Sequence, residues 1–135
     1  NCKIINHEDF HDREEYDELV NSFLENINPD LIVLAGYMRI MSKLLVDNWE
    51  GQIINIHPSL LPKYPGLNTH QRALEAKDKV HGSTIHFVTS ELDAGPIIRQ
   101  ESFKIEPFDT TESLTIKVKH LEHKIYPETI SSLLK

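Results

Sequence analysis

The sequence predicts an α/β fold, with a mainly parallel sheet flanked by helices and an antiparallel strand pair toward the C-terminal part. Residues 31–34 form a continuous apolar run of strand length, as is typical of strands covered on both faces. Residues 53–56 form a second short run of strand length, apolar except for Asn55. Segments of helical spacing precede and separate these runs, in the order expected of βαβ units. Residues 80–89 and 97–105 are predicted strands separated by the turn residues 91–96, and this close spacing favours antiparallel pairing.

The first half of the chain carries clear helix boundaries. Asp12 with Glu15 three residues later forms a capping-box pattern, and the apolar face that follows should end at residues 28–29, Asn-Pro. Ser42 is expected to cap a short second helix. Residues 3–6 resemble the tail of a strand.

The second half predicts two more helices. Thr69 should cap a helix that extends to Lys77. Asp109 with Glu112 is a second capping-box pattern, placed before a long C-terminal helix. Pro127 lies within that helical pattern and should kink or interrupt it, because proline lacks the backbone N–H that a helix interior needs.

Composition limits the function classes. The 135 residues suffice for one domain, and the formal net charge of −7 argues against a duplex-binding surface. Cys2 is the only cysteine, so no internal disulfide is expected. No apolar stretch approaches the ~20 residues of a membrane span, and we expect a cytoplasmic protein. The chain does not begin with Met, and we expect it to be N-terminally incomplete.

The strongest candidate site is the end of the second predicted strand. Asn55 and His57 lie two residues apart, so both side chains should point to one face and set an amide donor beside an imidazole. Asp93 lies in a turn next to Ala94 and Gly95, where little bulk would block a ligand or a close partner. A carboxylate near an imidazole would orient it and favour its charged form. The alternatives remain that Asn55 caps a turn, His57 is an ordinary half-buried histidine and Asp93 is a turn residue.

The remaining histidines do not predict a metal site. His120 and His123 lie three residues apart with Glu122 between them, but no third ligand stands at a recognisable spacing. The residues His7, His11, His70 and His81 are interpreted as surface or turn residues.

Several motifs together resemble the 10-formyltetrahydrofolate-dependent formyltransferases: residues 55–62 (NIHPSLLP), 86–88 (HFV) and 91–96 (ELDAGP). Residues 34–40, 63–67, 69–70 and 122–127 resemble the branch that formylates glycinamide ribonucleotide in purine synthesis. The resemblance covers nearly all 135 residues. It implies a Rossmann-like formyltransferase fold over residues 1–135 as a single partial domain, without the family's first strands and its N-terminal phosphate-binding βα unit.

The resemblance also implies roles for the candidate residues. His57 would be the general acid that protonates the departing folate nitrogen, and Asn55 would donate a hydrogen bond to the formyl oxygen. Asp93 would orient the imidazole of His57 and stabilise its protonated form. These roles suit the chemistry, because negative charge develops on one oxygen and a preorganised donor there stabilises it.

The same resemblance implies that the partners are small molecules. It implies no nucleic-acid or membrane partner and no bound metal. Glycinamide ribonucleotide would lie against Lys119, His120, Leu121 and Glu122. The cosubstrate 10-formyltetrahydrofolate would contact a larger set, with Arg13 near its acidic tail: Arg13, Met38, Arg39, Ile40, Met41, Asn55, Thr89, Ser90, Glu91, Leu92 and Asp93.

Two alternatives to the transferase stay open. One is a hydrolase that passes the formyl group of the same folate to water, against which the loop at residues 64–66 argues. The other is a truncated, non-catalytic folate-binding fragment. A homo-oligomer is also possible, because an incomplete sheet would expose a strand edge.

Overall fold

The structure is a computed structural model that describes all residues from Asn1 to Lys135. A four-stranded sheet in the order β1-β2-β3-β4 carries the helices, which confirms the α/β class. A short 3₁₀ helix precedes the regular elements at His7–Asp9. Those elements are α1 (Arg13–Ile27), β1 (Ile32–Val33), α2 (Lys43–Asn48), β2 (Ile53–His57), α3 (Thr69–Glu75), β3 (Val80–Phe87), β4 (Ile97–Lys104) and α4 (Thr111–Leu133).

The sheet is mixed. β1 and β2 are parallel, whereas β2 pairs antiparallel with β3, and β3 pairs antiparallel with β4. The expected antiparallel pair is therefore confirmed, but a mainly parallel arrangement holds only for β1 and β2. The connection through α3 begins and ends at the same end of the sheet, so it cannot act as the crossover that a parallel neighbour needs.

β1 differs most from its prediction. It contains only Ile32 and Val33, and it lies at the edge of the sheet with β2 as its one neighbour. Val33 is 39% exposed, so the expectation of a strand covered on both faces was wrong for this residue. Residues 3–6, expected as the tail of a strand, have no regular secondary structure.

Three helix boundaries are confirmed. The Asp12 carboxylate accepts from the backbone N–H of Glu15 at 2.9 Å and caps α1. Asn28 ends α1 in the left-handed region, with φ of 51°. Ser42 caps α2 through the N–H of Leu45.

Two predicted caps were wrong by one residue. Asn68 precedes α3 without a side-chain capping bond, and Thr69 is the first helical residue. Thr110 and Ser113 form the capping box of α4. The Asp109 carboxylate is already engaged, because it accepts from the N–H of Glu106 and from Lys117.

Pro127 does not interrupt α4, which runs without a break from Thr111 to Leu133. Ile125 and Thr129 are buried on either side of the proline. Their packing offsets the roughly 3 kcal/mol that an interior proline costs. The hydroxyl of Tyr126 also donates to the carbonyl of Leu34 at 2.6 Å and ties α4 to the end of β1.

No helix has the length and apolar character that crossing a membrane requires.

The core consists of two apolar clusters on the strands that carry the candidate site. One cluster packs α2 against β2, and the other packs α4 against β2 and β3. Their buried members are Met41, Leu45, Val46, Trp49 and Ile53 in the first and Ile54, Ile85 and Ile125 in the second.

Candidate active site

The candidate residues of β2 lie opposite polar residues of β3. Asn55 pairs directly with His86, and His57 pairs with Thr84. Directly opposite side chains share a face of an antiparallel pair. Accordingly, Asn55 Nδ2 lies 3.5 Å from His86 Nε2.

Gly95 brings the loop that carries Asp93 against the end of β3. A Cβ atom at Gly95 would lie 1.7 Å from the carbonyl oxygen of Phe87, so only glycine fits there. The N–H of Phe87 donates to the carbonyl of Pro96 at 2.9 Å. Asp93 itself adopts a φ of 50°, in the left-handed region that aspartate tolerates better than most residues. The small residues beside Asp93 therefore admit a close partner, which is the strand end itself.

Asp93 lies between two imidazoles. Its Oδ2 is 3.4 Å from His57 Nδ1, and its Oδ1 is 3.8 Å from His86 Nε2. The side chains of His57 and Asp93 are 7% and 8% exposed. The backbone N–H of Gly66 also donates to Asp93 Oδ2 at 2.9 Å. The structure thus brings Asn55, His57 and Asp93 into one cluster, with the carboxylate within reach of the imidazole.

His86 belongs to this cluster although the sequence did not single it out as a site residue. Its Nδ1 lies 2.9 Å from the carbonyl oxygen of Phe87, so Nδ1 carries the proton and donates. In the neutral ring Nε2 is then an acceptor, and it receives one N–H of the Asn55 amide. That bond fixes the orientation of the amide and leaves its second N–H for another acceptor.

The only sequence signal for His86 was its place in the HFV segment of the family resemblance. Its position beside Asn55, 31 positions earlier in the chain, depends on the register between β2 and β3. A β-bulge at Ile85 and His86 further shifts the pairing with β4. Neither feature can be deduced from local spacing.

A cleft opens beside the cluster, and it collects most of the residues assigned to the folate. Met38 does not line it and is 75% exposed. Arg13 lies outside the lining, where its guanidinium approaches the carbonyl of Ile40 at 3.4 Å. The lining residues are Leu34, Tyr37, Arg39, Ile40, Met41, Asn55, His86, Val88, Thr89, Ser90, Glu91, Leu92 and Asp93.

Aromatic side chains hold Arg39 at the edge of this cleft. Its guanidinium lies 4.8 Å from the centre of the Tyr16 ring, within cation–π range. Burial, followed by the negative charge of Asp17, raises the pKa of Tyr37 to about 12. Tyr37 therefore stays a neutral hydroxyl near Arg39 at physiological pH.

The four residues of α4 assigned to the nucleotide substrate have different environments. The Ser83 hydroxyl donates to Glu122 Oε1 at 3.2 Å and also lies 2.9 Å from the carbonyl oxygen of His57. Burial raises the pKa of Glu122 above its ordinary value. Leu121 packs against the core cluster around Ile54. Lys119 and His120 are exposed.

The cluster can support acyl chemistry. An amide N–H can stabilise a developing oxyanion, and a buried imidazole paired with a carboxylate can exchange protons with an amine or a leaving group. An α/β sheet that carries these groups at its strand ends, beside a cleft, defines an acyl-transfer class of site.

Comparison with known proteins narrows that class. The profile of a family described as formyl transferase matches residues 1–130. The chain belongs to the formyl transferase family. This result confirms the family resemblance seen in the motifs.

Relatives of known name agree with this assignment. A phosphoribosylglycinamide formyltransferase of Escherichia coli K12 is 48% identical over 122 residues, which cover 90% of this chain and 58% of the relative. A crystal structure of a phosphoribosylglycinamide formyltransferase from Bacillus halodurans gives a TM-score of 0.93 at 44% identity, covering 98% of this chain and 69% of that one. A Coxiella burnetii enzyme of the same name, in complex with CHES, gives 0.91 at 51% identity, with coverages of 95% and 60%. The chain thus spans somewhat more than half of the length of the Escherichia coli relative.

Proposed function

We propose that this protein transfers a formyl group from 10-formyltetrahydrofolate to the amine of glycinamide ribonucleotide in de novo purine biosynthesis, in the cytoplasm. The observation that carries the proposal is the Asn55–His86–Asp93–His57 cluster beside the cleft. The names of the relatives support the substrate, because phosphoribosylglycinamide is glycinamide ribonucleotide. We further propose that residues 1–135 act as a single formyltransferase domain.

In this proposal the folate occupies the cleft. The backbone and side chains of residues 39–41 would lie along one side, and residues 89–93 along the other. Arg13, near the carbonyl of Ile40, would meet the acidic tail of the folate. This arrangement would place the formyl group at the end of the cleft where Asn55 and Asp93 lie.

The reaction requires the site to stabilise negative charge on the formyl oxygen and to protonate the departing folate nitrogen. The amine of the ribonucleotide attacks the formyl carbon, and the formyl oxygen gains negative charge as the new C–N bond forms. Asn55 would donate its free amide N–H to that oxygen. The bond to the folate nitrogen then breaks, and His57 would give that nitrogen a proton. The amine loses a proton in return, which restores His57.

Asp93 would act by keeping His57 oriented and charged. Its Oδ2 faces Nδ1 of the ring at 3.4 Å, so Nε2 is the nitrogen directed away from the carboxylate. Glu122, linked through Ser83 to the His57 backbone, would accept hydrogen bonds from the ribonucleotide. Lys119 and His120 would contact the ribonucleotide from the exposed side of α4, next to Leu121.

The test is an assay of the purified chain with 10-formyltetrahydrofolate and glycinamide ribonucleotide, with separate detection of formyl-ribonucleotide and formate. We expect formyl-ribonucleotide, and we expect its formation to be lost in His57→Gln but kept in His7→Gln, an exposed histidine of the 3₁₀ helix. Formate without transfer would instead indicate a hydrolase. Folate binding with neither product would indicate a non-catalytic fragment.

A further inference from the structure

The nitrogen of His57 that the proposed reaction needs is not free. Its Nε2 lies 2.8 Å from the carbonyl oxygen of Tyr64, while Nδ1 faces the carboxylate of Asp93 at 3.4 Å. Both neighbours are acceptors. A neutral imidazole has only one N–H, so it would leave a lone pair facing an oxygen atom. A doubly protonated ring satisfies both.

The same short segment contacts Asp93. Residues 63–66, which we call the clasp segment, place the Tyr64 carbonyl on His57 and the Gly66 N–H on Asp93 Oδ2 at 2.9 Å. The carbonyl accepts and the N–H donates. The clasp segment therefore supplies complementary partners to both members of the imidazole–carboxylate pair.

Asp78, outside the cleft, anchors the clasp segment. The Tyr64 hydroxyl donates to Asp78 Oδ2 at 2.6 Å, and Lys63 Nζ donates to Oδ1 at 3.1 Å. The hydroxyl bond lowers the pKa of Asp78, so it remains an ionised acceptor at neutral pH. Its side chain is 14% exposed. The Arg72 guanidinium lies 5.1 Å from the centre of the Tyr64 ring and covers it.

The backbone of Tyr64 needs such an anchor. Its φ is 55°, in a region that costs a residue other than glycine about 1–2 kcal/mol. The Ser59 hydroxyl lies 2.6 Å from the carbonyl oxygen of Lys63 and 3.3 Å from that of Tyr64, and the Tyr64 side chain supports the same conformation through Asp78. Together these contacts direct the Tyr64 carbonyl at His57. The bond to Asp78 is thus coupled through one residue to the proposed acid.

We propose that Asp78 is a positioning residue that, through Tyr64 and Lys63, holds the Tyr64 carbonyl on Nε2 of His57 and so keeps a proton on that nitrogen before substrate binds. The folate nitrogen then replaces the carbonyl as the partner of Nε2. This inference rests on the proposed role of His57, but its structural part can be measured without substrate.

The test compares two tyrosine-to-phenylalanine variants. Tyr64→Phe removes only the hydroxyl that reaches Asp78 and keeps the ring against Arg72. Tyr16→Phe is the matched control, because no hydrogen bond of its hydroxyl is present in the structure. In ¹⁵N-labelled chain without substrate, we expect the His57 Nε2 resonance of Tyr64→Phe to move toward the lone-pair value. Its N–H should exchange with water about tenfold faster, as expected for the loss of one hydrogen bond.

Asp78→Asn should give an intermediate change, because its amide oxygen still accepts from Tyr64 but the ion pair with Lys63 is lost. An unchanged His57 signal in folded Tyr64→Phe, or an equal change in Tyr16→Phe, would overturn the proposal. If Tyr64→Phe does not fold, Lys63→Met removes the second anchor alone and must shift the same signal.

A single-turnover assay separates this inference from the proposed function. We expect Tyr64→Phe to lower the transfer rate about tenfold without a matching rise in the KM for folate, because the loss falls on proton transfer. If the wild-type chain transfers no formyl group and the resonance still moves, the proposed function fails and the positioning role of Asp78 stands.

Discussion

Two histidine pairs lie at different places along the sheet, and they differ in what their nitrogens face. His57, His86 and His81 are buried, and His70 is half-buried. In the first pair, His57 and His86 have Asp93 between them. In the second pair, His70 Nδ1 and His81 Nε2 lie 2.9 Å apart and face each other. The second pair was expected at the surface or in turns, but His81 is 1% exposed.

The difference shows that burial alone does not make a histidine a candidate catalyst. Burial, and then the nearby His70, lowers the pKa of His81 to about 4, and burial also lowers the pKa of His70. Asp78 opposes this for His81 but is the weakest of the three influences. These rings are therefore neutral packing groups at physiological pH. In the first pair, the Asp93 carboxylate and the Tyr64 carbonyl face the two ring nitrogens of His57, an arrangement that suits the proton transfer proposed for this ring.

The largest expected effect separates the two pairs by activity. We expect His57→Ala to lower the rate of formyl transfer by about 10³-fold, within the usual range for a general acid. His81→Ala should lower stability by about 2 kcal/mol through its lost packing, yet keep transfer within about threefold in the folded fraction. Single-turnover rates and urea unfolding measure the two quantities. A near-normal transfer rate in folded His57→Ala would show that His57 is not the general acid.

Asn55 provides the next effect, because it would supply the oxyanion donor. Asn55→Ala should lower the transfer rate by about 10²- to 10³-fold, as found when one such donor is removed. Gln52→Ala is the matched control. Its amide donates to the carbonyl of Pro29 near the start of β2 and is not in the cleft lining. Equal losses in both variants would mean that β2 has been disturbed.

The sequence predicted the parts of this comparison that depend on local chemistry. The boundaries at Asp12, Asn28 and Ser42 were confirmed because a cap and its partner lie within a few residues. The α/β class followed from the lengths and order of the apolar runs. Asn55, His57 and Asp93 were singled out from strand-end and turn patterns together with the family motifs, and the structure brings them together.

What the sequence did not predict depends on contacts between distant segments. The neighbour of Asn55 is His86, which only the β2–β3 register defines. The burial of His81 depends on His70 and Phe103, whose rings both meet it edge-on. The exposure of Val33 depends on β1 lying at the sheet edge. In each case the property depends on contacts between segments distant in sequence, which local sequence patterns do not predict.

The second histidine pair should make stability depend on pH. Burial lowers the pKa of His81 to about 4 in the folded chain, from the 6.5 of an ordinary histidine, so the unfolded chain binds more protons between these values. Stability is therefore lost as pH falls from about 6.5 to 4, by up to about 3 kcal/mol. Urea unfolding across this range should show a shallower slope in His81→Leu. His120→Leu, at an exposed site, should retain the wild-type slope.

The smallest effect concerns His86, and it tests whether the first pair acts as a unit. His86→Phe removes the acceptor for the Asn55 amide, so we expect about a tenfold lower transfer rate, the loss typical of one hydrogen bond. His86→Gln should recover part of the rate because its amide oxygen can accept the same N–H. A fall confined to the KM for folate would indicate a change in cleft shape instead.

A double-mutant cycle makes this prediction specific. If His86 acts by orienting Asn55, then His86→Phe should have little further effect in an Asn55→Ala background, since the group that it orients is gone. Additive losses would mean that His86 acts through another partner, and Asp93, 3.8 Å from its Nε2, would be the residue to examine. The cycle thus assigns the second imidazole of the cluster either to the oxyanion donor or to the carboxylate.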